Sequence, residues 1–477
     1  MNETILSRLK FYNDNTPDKV CLIEVASDKQ ITYASFWSQI LRYAKCIQPG
    51  KRFILQTRQT IEHLVAFYGI QAAGSVAIPV EATATEERLS ELADQFEAEI
   101  LPVEYTLGEK ELEFVNPDWE QPACIICTTG TTGKSKGVVS SFRCRFSGAD
   151  NVRYSYEITA KDVALVPQVL SHSGGLRRVE AMLVSGATVA IMGAVMMFGN
   201  VFGAIQKYNC NILQFVPAQV TQILQRAEKL LLKVAGQLRI VSVGSAVISE
   251  HDKERLRELL PGVRLFNDFG STEAIGSAYF EWSAFPPKPG CVGSASLHSK
   301  IVFLDDDGNV IENSCITNPG IIATEGDTLM SGYYNAPDLT AKVMKKGRVV
   351  SADLGYQGDD GMIYILGRKD DIIVSGANKI SPSEIEDAVL DIPGVKECAC
   401  VPKPDSVMGH MPALFIVWKK EALPADEVVK ELGKSLDKFK IPRAENIYET
   451  DALPRTAGTG KVITRELIER LVKDENI

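Results

Sequence analysis

Thr128-Thr-Gly-Thr-Thr-Gly-Lys-Ser-Lys-Gly137 follows directly on the apolar run Ala123-Cys-Ile-Ile-Cys127. A short β-prone run that ends in threonine, glycine and lysine is the pattern of a buried strand delivering a phosphate-binding loop. Glycines let the backbone approach, hydroxyls and amides donate to phosphate oxygens, and Lys134 and Lys136 offset charge. The loop is not a Walker A loop, because only two residues separate Gly130 from Gly133 where that motif has four.

Outward from this stretch, similar runs at Val163-Ala-Leu-Val166 and Arg239-Ile-Val-Ser-Val243 alternate with helical patterns. That rhythm predicts βαβ units around parallel sheets, with ligand sites beyond the carboxyl ends of the strands. From about Ile301 to Ile365 the texture changes to short alternating strands with turns at Asp306-Asp307-Gly308-Asn309 and Asp359-Asp360-Gly361, which predicts a β-rich subdomain over about 301–366. The charged knot Gly367-Arg-Lys-Asp-Asp371 then precedes a new βα pattern. There Ser381 is expected to cap a helix and Glu384 to complete a capping box. The expected class is α/β: a large N-terminal domain (1–369) of parallel-rich sheets with helices, and a small mobile α+β C-terminal domain (370–477). A chain of 477 residues exceeds one hydrophobic core, which agrees with two domains.

Composition narrows the function classes. A formal net charge of -10 argues against a surface built for nucleic acid, so any anionic ligand must be met locally. Ten irregularly spaced cysteines, with no signal peptide after Met-Asn-Glu-Thr, fit a reducing cytoplasm without disulfides. Ala181 to Gln206 lacks charge and has the length to cross a bilayer, but its glycines and the run Thr188-Val-Ala-Ile-Met192 favour a buried strand instead, and no membrane span is expected. Cys124 and Cys127 have zinc or redox spacing, yet they sit in a strand without a second pair and are read as structural.

Four further segments join the loop. They are Asp268-Phe-Gly-Ser-Thr-Glu273, Ser351-Ala-Asp353, Gly367-Arg-Lys-Asp370 with Ser375-Gly-Ala-Asn-Lys-Ile-Ser-Pro382, and Leu453-Pro-Arg-Thr-Ala-Gly-Thr-Gly-Lys461. With these, nearly the whole chain resembles the acyl-adenylate-forming superfamily of acyl-CoA ligases, peptide-synthetase adenylation domains and firefly luciferase.

The resemblance implies that ATP is held by Thr128, Thr129, Gly130, Thr131, Thr132, Gly133 and Lys134, by Gly244, Ser245 and Ala246, and by Asp268, Phe269, Gly270 and Ser271. Phe269 would stack on adenine, and Asp353 with Arg368 would bind the ribose. Thr272 would reach the α-phosphate, Glu273 would hold Mg²⁺, and Lys461 would act as the catalytic cation. One residue more than the usual spacing separates the Arg-Thr pair from Lys461, and Gly458 is the extra one. Asp370 matches the hinge, and Ser375, Gly376 and Ala377 would meet the thiol arm.

The acid pocket implied by the resemblance draws on His172, Gly175, Leu176, Arg177, Gly244, Ile275 and Gly276, with His172 also gating it. Arg177 and Arg178 read first as helix-surface arginines; the other reading pairs one of them with a second anionic group on the acid, as in o-succinylbenzoate. The expected reaction activates an aromatic or medium-length carboxylic acid as acyl-AMP and passes it to coenzyme A. A stand-alone enzyme loading a carrier protein and a non-catalytic nucleotide-binding relative are the alternatives, and the oligomeric state is left open.

Overall fold

The computed structural model describes residues 3–102, 106–129, 135–193, 197–376, 378–419, 421–455 and 462–473. Three sheets organise them. In the largest, of fourteen strands, six run parallel in the order Val20–Glu24, Thr188–Ile191, Val163–Val166, Ile212–Phe215, Ile240–Gly244 and Arg264–Phe269. Most of these strands are buried almost without interruption, as expected where helices cover both faces. Beyond Arg264–Phe269 the pairing turns antiparallel through Ala278–Glu281, Cys291–Ala295, Ile363–Arg368, Arg348–Gln357, Gly320–Gly326 and Ser299–Leu304. The β-rich texture of 301–366 is therefore the antiparallel wing of the same sheet.

A second sheet of six strands runs Gly332–Tyr333, Ser135–Ser141, Pro122–Thr129, Val76–Glu81, Arg52–Thr57 and Glu99–Ile100. Helices pack between it and the first. Ile61–Ala72 has ten buried residues out of twelve, and its Leu64, Phe67 and Ile70 share a core with Phe53 of the second sheet and Leu22, Val166 and Val189 of the first. A helix apolar on every side is stable only where neighbours cover it all round, and each such buried side chain contributes roughly 1.5–3 kcal/mol over exposure. The uncharged stretch from Ala181 resolves into the end of helix Ser173–Val184, strand Thr188–Ile191 and helix Phe198–Tyr208. Among the described residues no helix is long and apolar enough to cross a membrane.

The third sheet has five strands, Asn378–Ile380, Ile373–Ser375, Gly409–Trp418, Val395–Asp405 and Ile447–Glu449, with a core of its own that includes Ile373, Ile385, Leu414 and Val428. Helix Pro382–Leu390 packs on it, and Ser381 is its N-cap residue. The expected capping box is not formed. The Ser381 hydroxyl hydrogen-bonds Ser383 Oγ at 2.8 Å, and Glu384 accepts from Lys440 Nζ at 2.7 Å, so both side chains are drawn away from the helix amides.

Candidate functional site

Strands Pro122–Thr129 and Ser135–Ser141 flank the threonine and glycine segment and pair antiparallel. Strand Pro122–Thr129 continues past Cys127, and Thr128 and Thr129 pair with Lys136 and Ser135 of the returning strand. Gly130, Thr131, Thr132, Gly133 and Lys134 lie outside the described residues, as do Ala377 and Lys461, and of Thr129 only the backbone is described. Alternation along the strand puts Cys124 in the helix-side core and Cys127 against the opposite one, so the two thiols do not face one another. Burial pushes each up to about 12, which removes thiolate chemistry near neutral pH.

At the carboxyl end of Arg264–Phe269 the chain folds into a tight turn. Ser271 Oγ accepts from the amides of Glu273 and Ala274, both at 3.1 Å, and the Ser271 amide donates to Ala274 O at 3.0 Å. Backbone bonds from Met330 to Glu273 and from Ile275 to Thr328 clamp the turn from the side. Gly270 has no room for a side chain, since a Cβ there would meet Gly276 N at 2.7 Å. The turn leaves Thr272 and Glu273 half-buried at its crest.

Glu273 is tied to the second sheet. Tyr333, on the strand that pairs with Val138 and Val139, donates its hydroxyl to Glu273 Oε1 at 2.7 Å. Lys136, on strand Ser135–Ser141, sits 5.6 Å from the centre of the Tyr333 ring. Burial, reinforced by the bond to Glu273, raises the Tyr333 phenol well above its usual range, so it stays a donor. The bond uses Oε1, and a hard carboxylate oxygen such as Oε2 is of the kind that could hold Mg²⁺. Tyr333 escaped the sequence reading because its only cue was a tyrosine pair in a turn-rich stretch, Gly332-Tyr-Tyr-Asn335.

Asp353 and Arg368 are direct partners across the antiparallel ladder of the wing, which puts the two side chains on one face. Phe269 packs with Ile363 and Ile365 of the strand that ends in Arg368, so the aromatic ring and the Asp-Arg pair belong to neighbouring parts of one sheet. The Lys369 amide makes the last backbone bond to this sheet, to Ala352 O at 2.7 Å. Asp370 is exposed immediately after it, in a turn where the amides of Asp371 and Ile372 donate to Arg368 O, and the third sheet begins at Ile373. Ser375 is buried, with its hydroxyl 3.2 Å from Met411 Sδ, and Gly376 turns the hairpin at φ +59. Arg455 and Val462 form a bridge flanking the segment that carries Lys461.

On the other side of Phe269, helix Ser173–Val184 begins at His172, whose side chain is exposed and makes no capping bond. Gly174 faces the loop after Ile240–Gly244: a Cβ on it would lie 3.9 Å from Ser245 Oγ. Gly244 is buried, Ser245 and Ala246 are exposed, and Gly175, Leu176, Ile275 and Gly276 are buried.

The reading of Arg177 and Arg178 as helix-surface arginines is corrected. They are 9% and 5% exposed, because the helix is covered on both faces. Both face Asp268, which is 8% exposed. Asp268 Oδ2 accepts a close bond from Arg178 and stands 3.4 Å from Arg177 Nη2, while Oδ1 accepts from the Tyr156 hydroxyl. Asp268 thus anchors buried cations beside Phe269.

Comparison with known proteins agrees with this arrangement. The family model described as AMP-binding enzyme matches residues 10–113 and 104–334, and that of the AMP-binding enzyme C-terminal domain matches 384–461. The chain is 29% identical over 357 residues to an indoleacetate–CoA ligase of Aromatoleum aromaticum, covering 74% of this chain and 68% of the relative. It is 26% identical over 478 residues to a 2-succinylbenzoate–CoA ligase of Bacillus cereus, covering 95% and 96%. The o-succinylbenzoate CoA synthetase (MenE) of Bacillus subtilis, solved in complex with the acyl-adenylate intermediate OSB-AMP, superposes with a TM-score of 0.82 at 24% identity over 98% of each chain. The two family models together span most of the chain, and the chain belongs to the AMP-binding enzyme family.

Proposed function

We propose that the chain is an AMP-forming acid–thiol ligase that uses ATP to activate a carboxylic acid and transfers the acyl group to coenzyme A. In the first step a carboxylate oxygen of the acid attacks the α-phosphorus of ATP, pyrophosphate leaves, and a mixed anhydride with AMP forms. In the second, a thiolate attacks the acyl carbon and AMP departs. Adenylation replaces a poor leaving group by a good one, so most of the protein's work is positioning and charge stabilisation.

The observation that supports this reading most is the Lys136–Tyr333–Glu273 contact, which ties strand Ser135–Ser141 of one sheet to the acidic turn of the other. Thr128 through Lys134 would cradle the phosphates, Phe269 would stack on the adenine, and Asp353 with Arg368 would hold the ribose. Gly244, Ser245, Ala246, Asp268, Gly270 and Ser271 would complete the nucleotide walls. Glu273 would hold Mg²⁺, which supplies charge to the phosphate oxygens, and Thr272 would donate to the α-phosphate. Lys461 would stabilise the negative charge that builds as the acid attacks.

The acid would lie along His172, Gly175, Leu176, Arg177, Gly244, Ile275 and Gly276. Indoleacetate and 2-succinylbenzoate, the acids named for the two relatives, favour an aromatic acid here. We place the division between a large domain (1–369) and a small domain (370–477) at Asp370, the exposed turn between the last backbone bond of the large sheet and the first strand of the third. Rotation there would withdraw Lys461 and bring Ser375, Gly376 and Ala377 to the thiol arm.

Lys461→Ala tests the scheme. It is expected to lower acyl-AMP formation by about 10²-fold or more while thioester formation from supplied acyl-AMP changes far less. Equal loss in both half-reactions would refute the assignment. Release of AMP with coenzyme A, compared with release on a holo carrier protein, identifies the acceptor.

A further inference from the structure

Strand Val163–Val166 leaves the large sheet at Pro167, and the chain then crosses through 168–172 to reach helix Ser173–Val184. The ladder to strand Ile212–Phe215 ends at the pair Leu165 and Leu213, and a proline has no N–H with which to extend it. The side chain of Gln168 makes the next connection instead: its Nε2 donates to Gln214 O at 2.7 Å. Gln214 Oε1 in turn accepts from Arg178 Nε at 2.7 Å, so the crossing is tied to the ionic group around Asp268.

A second bond grips the same residue from the other sheet. Gln59 lies between strand Arg52–Thr57 and helix Ile61–Ala72, and its Nε2 donates to Gln168 O at 3.0 Å. Gln168 is thus held by its side-chain amide to the first sheet and by its carbonyl to the second. In both glutamines Oε1 is buried with no partner among the described residues, which leaves the Nε2 bond as the polar contact that orients each amide.

What the two bonds hold packs directly on the first turn of the helix. Val169 O accepts from the His172 amide at 3.4 Å, and it lies so close to Gly175 that a Cβ there would stand 2.4 Å from it and 3.3 Å from Gln168 Cβ. Leu170 and Ser171, which complete the crossing, are buried. Crossing and helix therefore meet backbone to backbone at Gly175, with no side chain between them to absorb a shift, and a displacement of 168–170 carries His172 and Gly175 with it.

We infer that Gln168 is a positioning residue for the acid: clamped between Gln59 and Gln214, it fixes the backbone of 168–172 and through it the pocket wall assigned to His172 and Gly175. The inference rests on the ligase reading above and names a determinant of that same site. A wall that is fixed before the substrate arrives need not be ordered on binding, so loosening it weakens the ligand that touches it and spares the ligand that does not.

The test compares the unaltered full chain with Gln168→Leu, Gln59→Leu and the double variant. Pyrophosphate release is measured with Mg-ATP and whichever of benzoate, phenylacetate, hexanoate and adipate the unaltered protein accepts, alongside urea unfolding. Leucine keeps most of the volume and removes an unpaired buried oxygen together with the bond, so the unfolding midpoints should move little. Gln168→Leu should raise the KM for the acid about tenfold while the KM for ATP stays within about twofold, and Gln59→Leu should raise the KM for the acid about threefold. Because both changes release one residue, the double variant should resemble Gln168→Leu rather than show the product of the two effects. Unchanged KM values with a loss confined to kcat or to unfolding would make Gln168 a purely structural residue and overturn the inference. An equal rise in the KM for ATP would overturn it as well, as would fully multiplicative effects in the double variant; each of these leaves the ligase reading standing. Absence of acid-dependent pyrophosphate release across the acids sinks the ligase reading, and this inference with it.

Discussion

Helix Ser173–Val184 contributes to two buried ionic groups of opposite character. Glu180 meets Arg145 in a closed fork, both side chains at 2% exposure or less, with charges matched one to one. A turn earlier, Arg177 and Arg178 share one carboxylate, and the group ends beside the candidate acid pocket. The first group is balanced in charge although Arg145 Nη1 has no partner, whereas the second places two cations on one carboxylate. The same residue types, at similar burial, thus differ in charge balance.

Breaking the closed pair should have the largest effect. Glu180→Gln leaves Arg145 charged and alone in the core, and a loss of about 3–5 kcal/mol is expected in the urea unfolding transition. The double replacement Arg145→Met with Glu180→Met should recover most of it, since apolar side chains of similar volume do not need pairing. A loss below about 1 kcal/mol for the single variant would erase the contrast between the two groups.

Arg177→Gln is the converse. Removal of an unmatched cation is expected to leave unfolding stability within about 1 kcal/mol of the unaltered protein, or to raise it. A destabilisation as large as that of Glu180→Gln would make Arg177 a structural residue like its neighbour.

A pH-dependent effect is expected at a third acidic contact, where helix Pro382–Leu390 meets helix Glu250–Leu259. Asp387 Oδ1 accepts from the Glu250 amide at 3.2 Å, and burial, aided by the Glu250 carboxylate, pushes Asp387 up to about 7. Glu386 beside it is also raised to about 7 by burial. His251, Lys253 and Asp391 complete the charged surroundings, with His251 Nδ1 3.5 Å from Asp391. A carboxyl whose pKa is higher in the contact than outside it favours the contact when protonated. Stabilisation is therefore full below about pH 4, where a free aspartate titrates, and is lost as pH rises to about 7. Fluorescence transfer between labels on the two sides should fall over that window, and Asp387→Asn should flatten the profile; superimposable profiles would dismiss the contact as a pH-sensitive one.

Much of the fold was legible because it rests on local signals. Val163–Val166 was recovered residue for residue, and Ile240–Gly244 within one, since uninterrupted apolar runs bounded by polar residues have few other readings. Glycine and hydroxyl spacing singled out 128–137 and 268–273 as segments of interest because it is a property of neighbours in sequence, whereas the returning strand Ser135–Ser141 had no such mark. The ionic groups were not. Arg178 and Asp268 are 90 residues apart, and Tyr156 and Asp268 are 112 apart, so nothing local marks them. The arginines were assigned to a helix surface because a helix with adjacent charges ordinarily has a wet face, and only packing between sheets removes it. Ser381 misled for a related reason: its hydroxyl bonds Ser383 two residues on, while Lys440, 56 residues from Glu384, takes that carboxylate.

Helix Ile61–Ala72 also has a bearing on how the chain reaches this state. It packs against strand Val20–Glu24, which among the described residues is joined to the rest of the large sheet through Thr188–Ile191, its other neighbour being the edge strand Lys29–Thr32. During synthesis the greasy segment leaves the ribosome more than a hundred residues ahead of the strand that completes its cover. Loop closure over so long a stretch is slow, and until it occurs the nascent chain displays the very surface that chaperones bind.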